Sequence, residues 1–395
     1  MKDIIINNSV TALIRDLAID KNLPIAVILT GSFSRNEQSL LYLKNHSYVL
    51  GDIEFIVIFP QSKANLLPKI KCRLKEISGK AKKTLYNLGI NCEVEYTPAC
   101  PSYLKNLSNT IFNFELYHHH QVVWGDNSIS NIFNQIDPLK VPKIDAFFLI
   151  CNRVAEQLLL FKKLFHKSDH IDIIDFYNII KIYIDTMGSV MIFNGNYKPT
   201  YRERLTFFIE ETKSNNKDIY IHLLKFKDKF VLSYESKLNP TIELFEKYWK
   251  IKNFENIDKD VVYNCMKDVA RMLIPVWKWE SESIIANSNQ LKSAKSSLKI
   301  YETTPPVINI KMWGKWVKIY CLNISNYTFN FSIRFFSINP QLLCYYEMYQ
   351  IYASLFSSMN GDKINKSHVT NDMQAIHLGN IDRVTKTWKN YIRTT

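Results

Sequence analysis

Along this chain the hydrophobic residues come first in short runs and later in long helical stripes. Val10, Leu13, Ile14 and Leu17 recur at helical spacing and predict a first helix with Ser9 as its N-cap. Residues 25–30, IAVILT, read as a strand, and 53–59 as a second strand stopped by Pro60. A short helix is predicted over 35–44 between them. A lysine-rich amphipathic helix over 65–88 ends at Gly89, which suits a helix C-cap. In Ile90–Thr97 the apolar Ile90, Cys92, Val94 and Tyr96 alternate with Glu93 and Glu95, the period of a third strand. QVVWGD, residues 121–126, predicts a fourth.

From Lys143 the texture changes. Phe147, Ile150, Val154 and Leu158 mark a helix over 143–166; Ile173, Phe176, Ile180 and Tyr183 mark another over 169–193, the two packing antiparallel. Helical patterns continue to about residue 300, and Pro305-Pro306 breaks them. Residues 307–338 are aromatic and β-branched and fit either strands or helix; 345–356 returns to helix, and the chain closes on a basic helix or tail. The expected class is α/β (α+β): a mixed-sheet domain over 1–142, a mainly helical domain over 143–303 and a largely helical C-terminal region over 304–395.

Composition narrows the classes. With 47% hydrophobic and 22% charged residues the chain is globular, and no apolar run is long enough to predict a membrane span. The acidic residue in MKDIIINNSV and the lack of a signal-peptide pattern predict a cytoplasmic protein. Seven cysteines at irregular spacing, without a CxxC pair, fit reduced thiols rather than a disulfide framework or zinc site. The net charge of +13 would steer any polyanion, a nucleoside triphosphate included, and no helix-turn-helix or finger signature points to DNA.

Candidate chemistry concentrates near the first two strands. Asp52 and Glu54 share one face of a strand whose Ile53 and Phe55 turn to the core. Two carboxylates held side by side repel, and a hard divalent cation, magnesium first and manganese as an alternative, relieves that repulsion. Gly31-Ser32 stands at the exit of the first strand, where backbone amides can approach a phosphate, and Arg35 follows with its planar fork of donors. The run Tyr117-His118-His119-His120 lacks the i, i+3 or i+4 spacing of helical metal ligands and reads as a boundary segment. NGNYKPTYRER, 194–204, combines aromatic and cationic side chains: Tyr197 could stack on a base and Arg202 meet a phosphate, or the segment could be a turn before a capped helix.

A strand, Gly-Ser, an Asp-x-Glu flanked by apolar residues and a later acidic strand residue together resemble the DNA polymerase beta-type nucleotidyltransferase superfamily. The resemblance covers about the first 125 residues by motif. It implies an N-terminal nucleotidyltransferase domain in which Asp52, Glu54 and Glu93, or Glu95 as the third acid, hold two Mg2+ ions, while Gly31 and Ser32 line the phosphate side. It also suggests that Lys181 reaches the triphosphate from the helical domain. Glu93 is preferred over Glu95 because of the strand residues and proline that follow it. The nineteen residues between Ser32 and Asp52 exceed the family's usual spacing and imply an inserted loop. The implied reaction is magnesium-dependent transfer of a nucleoside monophosphate from a triphosphate such as ATP. The acceptor hydroxyl or phosphate belongs to a small molecule or glycan precursor in preference to RNA. The alternatives are an RNA- or protein-directed transferase, including a toxin-antitoxin type, and a non-catalytic nucleotide-binding regulator.

Overall fold

The computed structural model describes residues 1–44, 46–165, 169–214, 217–287, 340–357, 379–386 and 388–389. It is a mixed α/β protein. The helix α1 (Lys2–Ile19) precedes strand β1 (Ala26–Thr30), the four-residue helix α2 (Gly31–Ser34), and strands β2 (Leu40–Tyr42) and β3 (Ser47–Ile58). Helix α3 (Leu67–Asn87), strand β4 (Ile90–Ala99), helices α4 (Pro101–Lys105) and α5 (Ile111–His118), and strand β5 (Gln121–Gly125) complete this part. In the sheet, β3 pairs antiparallel with both β2 and β1 and parallel with β4, while β5 pairs antiparallel with β1.

One face of the sheet is closed by α1 and α3. Val27 and Leu29 of β1, Ile53, Phe55 and Val57 of β3, and Cys92, Val94 and Tyr96 of β4 pack there against Ile5, Leu13 and Leu17 of α1. From α3 come Ile70, Leu74, Ile77, Ala81 and Leu85, a stripe at helical spacing. Each of the larger side chains contributes about 1.5–3 kcal/mol by leaving water.

Three local expectations change. The first helix begins at Lys2, and Ser9 is not its cap; its Oγ donates to the Ile5 carbonyl at 2.8 Å inside the helix. The predicted helix over 35–44 is replaced by β2, because Leu40, Leu41 and Tyr42 find ladder partners in Val49, Tyr48 and Ser47. Pairing of that kind overrides a weak local preference. For the same reason β3 begins at Ser47, six residues before the strand expected at 53.

The chain divides into two units, residues 1–146 with 187–254, and residues 147–186 with 255–395. Helices α6 (Lys143–Phe165) and α7 (Ile173–Phe193) each contribute to both units, so this division is not consecutive along the chain; the boundary expected at 303 lies outside the described residues. An uninterrupted helical period carries no mark where one unit ends. The first unit also holds α8 (Tyr201–Ser214), α9 (Asp218–Leu224), α10 (Lys227–Leu238) and α11 (Ile242–Leu244). In the second, α6 and α7 pack antiparallel as expected: Arg153 pairs with Asp185 at 2.7 Å and Lys163 with Asp175 at 2.6 Å. That unit adds α12 (Lys259–Asn287) and the helix Pro340–Ser357. Residues 307–338 lie outside the described residues, as does most of the tail. The six described cysteines are free thiols, and no described helix is long and apolar enough to cross a membrane.

Candidate active site

The second face of the sheet changes character along its strands. At one end Ala26 and Ile28 of β1, Ile56 and Ile58 of β3, and Ala99 of β4 form an apolar cluster with Leu104 of α4, Leu116 of α5 and Ile129. Side chains alternate along each strand, so the same face at the other end presents Thr30, Asp52, Glu54, Glu93 and Glu95. Parallel pairing sets Asp52 beside Glu93 and Glu54 beside Glu95, and antiparallel pairing sets Thr30 beside Glu54. Asp52 and Glu54 are half-buried, whereas Glu93 and Glu95 are exposed. Adjacent like charges on one face are destabilising, so four carboxylates in two register pairs call for cations.

Two lysines approach this end. Lys82 of α3 ion-pairs with Glu93. Lys237 of α10 is only 4% exposed, and its Nζ would lie 3.9 Å from a Cβ on Gly51, the residue before Asp52. Along the chain the stretch KDKFVLSYESK, 227–237, reads as a basic patch. The missed signal is that Phe230, Ser233, Tyr234 and Lys237 fall on one helical face, which puts the lysine among buried positions.

Gly31 opens α2 with φ +68°, and a Cβ there would overlap Glu54 Oε2. A glycine is therefore required both by the left-handed backbone and by the close approach of the turn to the acidic strand. Ser32 is half-buried, and its carbonyl accepts the Glu37 N–H at 2.9 Å. Ser34 Oγ lies 2.8 Å from the carbonyls of Gly31 and His119, tying the turn to the end of α5. Gly31, Ser32, Asp52, Glu54, Glu93 and Glu95 are thus brought to one end of the sheet.

Arg35 and Tyr197 are engaged elsewhere. Arg35 is buried, with Nε 3.3 Å from Glu37 and Nη1 2.8 Å from Glu115. Tyr197 OH donates to Glu115 Oε1 at 2.6 Å, and Arg204 pairs with the same carboxylate. The Arg204 guanidinium sits 4.4 Å from the Tyr197 ring centroid and donates through Nε to the Lys198 carbonyl at 2.7 Å. Burial alone would push the Glu115 carboxyl up, but Arg35 and Arg204 outweigh it, together with the hydrogen bonds from Tyr197 and Arg204, and hold it at about 2. Burial works against the charge on both arginines too, and Glu115 is among the groups that keep them protonated. Sequence reading missed Glu115 and Glu37. The Arg202 side chain is exposed while its N–H donates to Glu37 at 3.0 Å. Lys181 belongs to the other unit, where its Nζ lies 5.7 Å from the Tyr177 ring centroid.

Asp52 and Glu54 supply hard oxygen donors that suit magnesium or manganese. Among the described residues, no three His, Cys, Asp or Glu side chains form a group that could hold a metal ion, and Glu93 is turned to Lys82. Metal at this face would therefore rest first on Asp52 and Glu54, with Glu93 exchanging its lysine or Glu95 serving in its place.

No protein family, no curated protein and no solved structure matches the chain.

Proposed function

We propose that this protein is a nucleotidyltransferase, using magnesium or manganese to transfer a nucleoside monophosphate from a triphosphate to a small-molecule or glycan-precursor acceptor. The observation that carries the reading is the meeting of Gly31 with Glu54, at the end of the sheet where Asp52, Glu93 and Glu95 share a face. The order strand, Gly-Ser turn, Asp-x-Glu strand and later acidic strand is also the order on which the resemblance to the DNA polymerase beta-type superfamily rests.

In the transfer an acceptor oxygen forms a bond to the α-phosphorus, the α–β anhydride P–O bond breaks, and pyrophosphate leaves with the electron pair. The acceptor proton passes to a carboxylate of this face or to water. Bound divalent cations supply charge neutralisation for the triphosphate and lower the pKa of the attacking hydroxyl. Asp52 and Glu54 would hold those cations, Glu93 or Glu95 would serve the acceptor side, and Gly31 keeps side-chain bulk out of the turn. Lys237 adds positive charge beside Gly51, the residue before Asp52.

The test is incubation of the protein with each labelled triphosphate, magnesium and a cell extract, following the label into small molecules, RNA or protein. Label is expected in a small-molecule fraction and lost on Asp52→Ala. Transfer that survives Asp52→Ala would overturn the mechanism, and label in RNA or protein would replace the acceptor class. The Lys82–Glu93 pair favours one second reading, a nucleotide-binding regulator without catalysis. Its mark is saturable triphosphate binding with no label transferred.

A further inference from the structure

A second concavity lies in the first unit, apart from the acidic face, with a volume of about 800 Å³. That is within the roughly 300–1,000 Å³ of small-molecule sites. His118 borders it, and the carbonyl of the next residue, His119, accepts the Ser34 hydroxyl of α2 at 2.8 Å.

The wall groups narrow the ligand. Lys140 and Lys198 both line the cleft, and among the described residues neither ammonium is ion-paired with a carboxylate; Lys198 Nζ rests 5.8 Å from the Phe207 ring centroid. Two carboxylates also line it, but both are committed to backbone caps. Asp137 accepts the Leu139 N–H at 2.9 Å, and Glu203 accepts the Thr200 N–H at 3.1 Å and its hydroxyl at 2.6 Å. Glu203 stands in the first turn of α8, where the helix dipole offsets its charge. The two lysines are left to meet a ligand anion.

The remaining groups choose between ring types. A nucleobase gains most from an open aromatic face on which to stack. Here the Tyr197 ring carries Arg204 against it and meets the Phe114 ring at 5.6 Å; Phe114 meets His118 edge-on at 4.5 Å. The aromatic groups are thus occupied by one another and by Arg204. The polar lining consists of the carboxamides of Asn109 and Gln135 and the His118 imidazole, whose pKa partial burial and His119 lower, leaving it neutral at pH 7. Each can both donate and accept, the pattern that matches ring hydroxyls.

We propose that this cleft binds a phosphorylated sugar, its phosphate on Lys140 and Lys198 and its hydroxyls on Asn109, Gln135 and His118. That the sugar phosphate is the acceptor of the transfer rests on the nucleotidyltransferase reading; the binding itself does not.

Titration calorimetry on the full chain, without metal or triphosphate, tests it with glucose 1-phosphate, glucose, inorganic phosphate and adenosine monophosphate as probes. Glucose 1-phosphate is expected to saturate one site and to bind more tightly than glucose or phosphate. Lys140→Ala and Lys198→Ala should each weaken it by about tenfold, the loss of one charge-assisted contact. Asn109→Ala should weaken it less. Absence of saturable binding, binding indifferent to the double lysine variant, or tighter lysine-dependent binding of adenosine monophosphate would each overturn the proposal. Unchanged urea midpoints of the lysine variants show that a loss is not unfolding. Binding that survives alongside a failed labelling experiment would overturn the transferase reading alone.

Discussion

Glu115 accepts from Arg35, Arg204 and Tyr197 at once, and its carboxyl is held at about 2 against a usual glutamate value near 4.3. A group whose folded pKa is depressed contributes stability that is full above its unfolded pKa and is lost as the pH falls toward the folded one. That contribution is therefore complete above about pH 5 and disappears between about pH 4 and pH 2. Glu115→Gln should cost roughly 3–5 kcal/mol at pH 7, because two buried guanidinium groups lose their shared anion. Urea midpoints measured from pH 7 to pH 2 should show the variant starting lower and falling less steeply than the parent. Equal acid slopes would contradict the assignment. Little of this was readable beforehand: a glutamate in IFNFELYH has no pattern that announces two arginines from distant segments. Asp52 and Glu54 differ, since strand alternation alone puts them on one face.

The N-terminus of α8 shows how far one element can be read locally. Thr200 and Glu203 form a reciprocal capping box: Glu203 N–H donates to Thr200 Oγ1 at 3.2 Å, and Thr200 N–H donates to Glu203 Oε2 at 3.1 Å. The T-x-x-E spacing in NGNYKPTYRER was visible, so the capped-helix reading of that segment is the one observed. The other half of the cap was not visible. Glu37, in the long link after Ser32, accepts the N–H groups of Tyr201 at 2.9 Å and Arg202 at 3.0 Å. The link expected as an inserted loop thus supplies β2 and a cap for a helix more than 160 residues later. Thr200→Ala should lower stability by about 1 kcal/mol. Glu37→Gln should lower it by more, since it also leaves Arg35 with one carboxylate fewer. Both are read from urea midpoints at constant m-value, and a larger loss for Thr200→Ala would argue against Glu37 as the principal cap.

The first unit is assembled from two separated stretches, 1–146 and 187–254. A fragment of residues 1–142 keeps the sheet with Arg35, Glu37 and Glu115 but lacks Tyr197, Arg204 and Lys237. It should show no cooperative urea transition and a poorly dispersed amide spectrum, because buried charges without partners cost several kcal/mol against a total stability of about 5–15 kcal/mol. A sharp transition would show that the sheet folds unaided. The net charge of +13 acts at this scale as well, through long-range attraction of anions rather than through the fold. What the sequence determined by itself was periodic and local: the helical stripes of α1, α3, α6 and α7, the alternation of β4, the glycine after β1 and the acidic pair in β3. These follow from backbone geometry, which repeats every 3.6 or 2 residues whatever lies elsewhere. The tertiary structure alone decided that residues 40–42 pair as a strand, that Glu115 and Glu37 join Arg35 to the segment 197–204, and that Lys237 comes beside Gly51. Those outcomes depend on contacts between residues far apart in the chain, set by which apolar surfaces meet and which buried charges find partners, and a local pattern contains neither.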